Sequence, residues 1–260
     1  MTALPSSAPP MRYSFDVLSH LVGREFRLRY QRAVLGWAWA VAEPLARLVV
    51  LAVVFTRVIP LGIPNYATFL FTGLIAWVWF ASGLRSVTTS VVDRSDLLMH
   101  PKLPRMAAPV VSALADGIDY LAALPVLFVF LLIDGGIPVT ALLLPAVMVI
   151  QLLLILGIGL VLASAHVYMR DTGQLVDVAM TLGFYITPVF YETSTVPEAF
   201  QSVMNLNPMT HLLAVYRDIL VEGTLPSGGT LGALLGFSVL LFAVGVAVHL
   251  RTSPYFVDEL

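Results

Sequence analysis

The sequence predicts an all-α, polytopic membrane protein with six transmembrane helices, an N-terminal amphipathic interface helix and short re-entrant external helices between spans 5 and 6. Composition is the first of three observations behind this prediction. Hydrophobic residues make up 58% of the 260 positions and charged residues 12%, with a mean hydropathy of +0.89, whereas soluble domains carry about 25% charged residues. The second is segmentation: apolar stretches of roughly spanning length fall at 35–58, 67–90, 107–133, 139–163, 174–191 and 231–250. The third is the placement of basic residues. With a cytoplasmic N-terminus, the inner segments collect Arg12, Arg24, Arg27, Arg29, Arg32, Arg85, Arg94, Lys102, Arg105, Arg170 and Arg251, and the outer ones hold Arg57 and Arg217. That bias puts both termini inside.

The elements follow in chain order. Residues 1–11 are rich in Pro, Ser and Ala, lack the hydrophobic centre of a signal peptide and are expected to be disordered; residues 12–260 then form a single transmembrane domain. Within it, residues 12–34 are expected to form a cytoplasmic amphipathic helix. Val17, Leu18, Leu21 and Val22 cluster on one side, with Arg24 and Arg27 on the other, the pattern of a helix lying in the membrane surface. Arg29 and Arg32 fall back toward the apolar side, so the helix is expected to bend there or its arginines to snorkel to headgroups; the other reading is a solvated juxtamembrane charge cluster that fixes topology. The six spans occupy 35–250, and 251–260 is a cytoplasmic tail. Lipid gives the backbone no hydrogen-bond partner, so the spans must be helical, and the alternation of a barrel is absent.

The segment from Thr187 to Gly223 is too long for a turn and too apolar for a free loop. Pro197 and Pro208 stand where helices can begin, and Asn207 can cap the second. Two short helices dipping back from outside are expected, bordering a pathway, because broken backbone at membrane depth must be buried in protein or line a polar cavity.

No enzyme emerges from the motifs. There is no phosphate-binding GxxxxGK[ST] loop, no HExxH and no GxSxG, so no catalytic or metal-ligating residue and no cofactor is assigned to this chain. Cysteine is absent, which removes disulfides and thiolate chemistry. No basic tract points to nucleic acid. Asp116 and Asp119, a helical turn apart near the start of span 3, can be read as an acid/base pair or as carboxylates bonded to neighbouring helices. Glu43 and Arg47 in span 1 are spaced i, i+4, which neutralises two charges in lipid, as a structural ion pair or as a polar patch on a path. Trp37, Trp39, Trp77, Trp79, Phe80, Phe184, Tyr185, Phe190 and Tyr191 are either interfacial anchors or flat faces for passing sugar rings. Between spans 2 and 3, Asp96, Leu97, Leu98, Met99, His100 and Lys102 form a cytoplasmic loop suited to docking a soluble partner or to serving as plain surface.

Five segments, REFRLRYQRAVLGWAWAVAEPL (24–45), FTGLIAWVWFASGL (71–84), VYMRD (167–171), TPVFY (187–191) and NPMTHLLAVYRDIL (207–220), together resemble, in order, the permease subunits of bacterial polysaccharide ABC exporters, of the O-antigen, teichoic acid or capsule type, within the type-2 ABC permease superfamily. The resemblance implies a multi-pass protein of the bacterial inner membrane. It would pair with a second copy of itself and with two copies of a separate ABC-type ATPase that uses ATP and Mg, and export a polysaccharide carried on polyprenyl diphosphate. It implies ATPase docking by the surface helix and by Asp96–His100 with Lys102. The external gate would include Pro197, Phe200, Asn207, Pro208 and Arg217, and the polymer path Trp37, Trp39, Glu43, Arg47, Trp77, Phe80, Phe184, Tyr185, Phe190 and Tyr191. Arg24, Arg27, Arg29 and Arg32 would meet the lipid diphosphate, since Arg offers a planar fork to phosphate oxygens. Glu43 and Arg47 depart from the family's usual neutral residues. The alternative within the superfamily is drug or small-lipid efflux; outside it stand an ion-coupled transporter, which should show inverted repeats, and a membrane enzyme.

Overall fold

A computed structural model describes residues 11–31, 33–95 and 103–259, and all regular structure among them is helical. In chain order the α-helices are α1 (Met11–Tyr30), α2 (Trp39–Val53), α3 (Tyr66–Asp93), α4 (Ala107–Ile133), α5 (Leu144–Tyr168), α6 (Thr172–Ile186), α7 (Glu198–Asn205), α8 (Pro208–Arg217), α9 (Gly228–Thr252) and α10 (Phe256–Glu259). Among the described residues five segments are long and apolar enough to cross a membrane: Gly36–Val58, Tyr66–Asp93, Ala107–Ile133, Val139–Tyr168 and Gly228–Tyr255. The expected disorder of residues 1–11 falls almost wholly outside the described residues; Met11 opens α1.

The stretch at 174–191 differs from the expected full-length span. Its helix α6 is 15 residues long, a rise of about 22 Å against a hydrocarbon thickness of about 30 Å. Pro188 is the physical reason: the residue before a proline is pushed out of the helical region, and Thr187 is extended, with φ −82° and ψ 139°.

α3 is the hub. It packs most extensively on α4 and α5, and α5 in turn on α9. Of its most apolar stretch 78% is buried, against 11% in the span containing α2 and 17% in that containing α9, so α3 faces protein on nearly all sides while α2 and α9 present broad outer faces. One core runs through the bundle, from Phe69, Leu70, Phe71 and Leu74 on α3 to Leu127 on α4, Leu154 and Ile155 on α5, and Leu212, Leu213 and Tyr216 on α8.

The α5–α9 contact depends on two glycines. A Cβ on Gly245 would stand 2.4 Å from the Gly157 carbonyl oxygen, and one on Gly157 would stand 2.7 Å from backbone atoms of Leu241 and Phe242. With little hydrophobic drive between helices in lipid, such backbone approach is what makes packing favourable. Gly245→Val should therefore force the helices apart at a cost of about 1–3 kcal/mol and lower the thermal midpoint of the detergent-purified protein. Gly236→Ala, with nothing within 4 Å of the added atom, should leave it unchanged; equal effects of the two would contradict this account of the contact.

Candidate functional site

Three helices enclose the largest groove described, about 890 Å³. Glu43, Ala46, Arg47, Val50 and Leu51 come from α2. Trp77, Val78, Ala81, Ser82 and Arg85 come from α3, and Asp177, Met180, Thr181, Phe184 and Tyr185 from α6. Each set recurs at three- and four-residue steps, so each is one face of its helix. Four charged groups line the groove as two internally neutral pairs. Arg47 donates to Glu43 at 2.6 Å, and Arg85 on α3 pairs with Asp177 on α6.

The aromatic wall extends beyond the groove. Trp77 packs against Phe80 with centroids 5.8 Å apart and meets Phe184 edge-on at 6.3 Å. Phe184 continues to Phe190 at 5.6 Å, and Phe190 stacks on Phe55 at 5.1 Å. Gly183 makes room for this arrangement, since a Cβ there would lie 2.9 Å from the Trp77 ring.

The sequence-derived path residues thus separate. Glu43, Arg47, Trp77, Phe184 and Tyr185 line the groove. Phe80 lies behind Trp77, and Phe190 and Tyr191 lie in the bend that ends α6, where the Tyr191 hydroxyl donates to the Tyr185 and Ile186 carbonyls. Trp37 and Trp39 are exposed and do not line it. Arg85 and Asp177 escaped the sequence reading as lining residues. Asp177, Thr181 and Phe184 share a face at i, i+4 and i+7, but that signal becomes legible only once α6 is known to end at Ile186.

At the end of the bundle where α3 begins, the broken backbone of TPVFY is held by side chains from elsewhere. The Tyr66 hydroxyl donates to the Phe190 carbonyl at 2.9 Å. The Asn207 amide donates to the Thr187 hydroxyl at 2.8 Å, while its Oδ1 accepts the Met209 N–H and caps α8. Arg217, 8% exposed, donates to the Val189 carbonyl at 2.8 Å and lies 3.6 Å above the Phe69 ring, a cation–π contact. Pro197 precedes α7, Pro208 opens α8, and Phe200 is exposed on α7.

At the opposite end α1 is fastened to α3 and α4. Arg29 donates to Asp116 at 2.7 Å and to Asp119 at 2.6 Å, and Ser86 of α3 also donates to Asp116. Arg94 forks onto Glu25, Nη2 to Oε1 at 2.5 Å and Nε to Oε2 at 3.2 Å, and donates to Ser112. The two aspartates therefore serve as acceptors for a neighbouring helix. Of the proposed diphosphate contacts, Arg29 is engaged in this way and Arg24 and Arg27 are exposed; Arg32 lies outside the described residues, as do Asp96, Leu97, Leu98, Met99, His100 and Lys102 of the proposed docking loop. Among the described residues no group of acidic or histidine side chains is arranged to hold a metal.

Residues 16–221 match the model of the ABC-2 type transporter family. The chain belongs to that family. As an ABC-2 transporter protein it is also similar over nearly its whole length to curated relatives. It is 34% identical over 228 residues to the O-antigen export system permease protein of Myxococcus xanthus, covering 86% of this chain and 88% of that one. It is 28% identical over 250 residues to the protein of the same description from Klebsiella pneumoniae, covering 95% and 96%. It is 23% identical over 230 residues to the polysialic acid transport protein KpsM of Escherichia coli, covering 87% and 89%.

Replacing Arg217 by Lys keeps the charge and removes the planar group that reaches the Val189 carbonyl and covers Phe69. Loss of a hydrogen bond of about 1.5 kcal/mol should raise amide hydrogen exchange of residues 187–191 about tenfold. Unaltered exchange would mean that the bend does not depend on Arg217.

Proposed function

We propose that this chain is the transmembrane subunit of an ATP-driven exporter that moves a cell-surface polysaccharide, carried on polyprenyl diphosphate, across the bacterial inner membrane. The observation that carries this reading is end-to-end similarity to permeases named for O-antigen and polysialic acid export, joined to a groove walled by aromatic rings. Those relatives do not favour drug or small-lipid efflux. ATP and Mg are used by a partner pair of ABC-type ATPases, and a second copy of this chain completes the conduit.

The groove's chemistry suits a polymer that must slide. Phe184 and Tyr185 present apolar faces to the groove, Tyr185 with a polar hydroxyl tip, and Trp77, 4% exposed, backs them; such rings engage sugar rings weakly and repeatedly along a chain. The four charges pair off within the groove and leave it without net charge, so neither neutral nor ionic sugars are trapped by a lone ion. Serine and threonine hydroxyls at Ser82 and Thr181 add exchangeable hydrogen bonds. Partner ATPases closing on nucleotide would act through α1 and the 94–105 loop to shift the helices around this groove.

In this reading α6 and the following bend make a shortened fifth crossing that brings the total to six, α7 and α8 return toward the membrane from outside as the external gate, and both termini are cytoplasmic. The placement of basic residues supports the orientation, and the internal satisfaction of the TPVFY backbone supports its location at membrane depth.

Replacing Trp77 and Phe184 together by Ala should reduce exported glycan in cells at least about tenfold, the expected loss for two aromatic contacts of about 1 kcal/mol each. ATP hydrolysis by the purified complex should persist. Undiminished export would remove the groove from the path. Because the chain contains no cysteine, single cysteines report topology cleanly: Ser194→Cys should react with an impermeant thiol reagent added outside the inner membrane, and Thr252→Cys only after the cytoplasmic side is opened. The reverse pattern, Thr252→Cys labelled from outside and Ser194→Cys only after opening, would mean that α6 does not cross and would refute six crossings.

A further inference from the structure

The cleft under α1 differs from the groove in charge. About 500 Å³ between α1, α3 and α4 is lined by Arg24, Arg29 and Arg94 together with Glu25 and Asp93, and Asp116 and Asp119 add two carboxylates against Arg29, so charges crowd here without pairing one to one. The three arginines are held differently. Arg29 is shared by Asp116 and Asp119, and Asp116 is 2% exposed, so pulling Arg29 away would leave a buried carboxylate without its counter-charge. Arg24 is exposed and makes no ion pair among the described residues. Arg94 forks onto both oxygens of Glu25, in a pair whose side chains are 18% and 23% exposed.

That fork is the geometry in which a guanidinium also takes two phosphate oxygens. Glu25 follows Arg24 on α1 and so places its carboxylate where an anion entering the cleft would otherwise bind. We infer that Glu25 is a built-in competitor for Arg94: a diphosphate headgroup entering the cleft displaces it, takes Arg94 and Arg24, and so replaces the direct Glu25–Arg94 fastening of α1 by one made through the headgroup. This rests on the reading of the substrate as a lipid-borne diphosphate, and adds how its arrival is registered. Of the two fastenings, Glu25–Arg94 is the exchangeable one, because it is partly open to water and its partner carboxylate is not deeply buried. Arg29 with Asp116 and Asp119 keeps α1 attached while the exchange occurs. Arrival of the headgroup is thereby converted into a changed attachment of the segment around Glu25, on the helix proposed to contact the ATPase.

The test uses the permease–ATPase complex in lipid nanodiscs, with polyprenyl diphosphate titrated and ATP hydrolysis read out. Glu25→Gln keeps the shape and removes the competing charge, and co-purification of the ATPase checks assembly. The concentration giving half-maximal stimulation should fall about fivefold or more, and Arg94→Gln should abolish the response. Inorganic diphosphate, run in parallel, separates the sources: a shift with the lipid alone ties the site to the membrane-borne headgroup, and a shift with both ties it to the phosphate chemistry, either outcome supporting the role of Glu25. If the wild-type complex responds and Glu25→Gln responds at the same concentrations, the competitor role is overturned while the export reading stands. If the wild-type complex does not respond to polyprenyl diphosphate, the diphosphate reading falls and this inference with it.

Discussion

Backbone polar groups that find no partner in lipid dictate the form of this molecule. Long stretches meet the demand by becoming helices, but the TPVFY segment cannot, because Pro188 breaks α6 after 15 residues. The broken carbonyls are answered from a distance: Tyr66 from the start of α3 takes one, Arg217 from the end of α8 takes another, and Asn207 reaches Thr187. The irregular segment, the two short helices and the N-terminal end of α3 are therefore one interlocked unit.

The same economy governs charge. Every ion pair described joins neighbouring helices or adjacent turns of one helix, and none sits in the middle of the hydrophobic core. Glu43 and Arg47 neutralise one another along α2, and Arg85 and Asp177 do so between α3 and α6. The fastenings of α1 by Arg29 and Arg94 lie at the end of the bundle opposite Arg217. Charge is thus placed at the two ends of the bundle and along the groove, leaving the outer faces of α2 and α9 broadly apolar.

Close backbone approach supplies the cohesion that burial alone supplies in water. Gly157 against Gly245 joins α5 to α9, and Gly73 lets the Val189 carbonyl and the Arg217 guanidinium come within 2.9 Å of where a side chain would begin. The hub helix α3 is in this way connected to every moving part the proposed mechanism needs: groove, external bend and the attachment of α1.

Much of this was legible in the residues. Apolar stretches of spanning length announced five of the helices to within a few positions, Asn207 and Pro208 announced the start of α8, and the i, i+4 spacing announced the Glu43–Arg47 pair, because each of these depends on neighbours in the chain. What tertiary structure alone decided depends on partners far apart: that Arg29 belongs to Asp116 and Asp119 rather than to solvent, that Arg94 meets Glu25, that Asp177 and Arg85 complete the groove while Trp37 and Trp39 stay outside it, and that Arg217 turns inward onto Phe69. Local periodicity states which face of a helix is apolar. It does not state which helix that face will meet, since in lipid that choice is made by backbone approach and by the satisfaction of a few buried polar groups, and both are settled only when the helices pack.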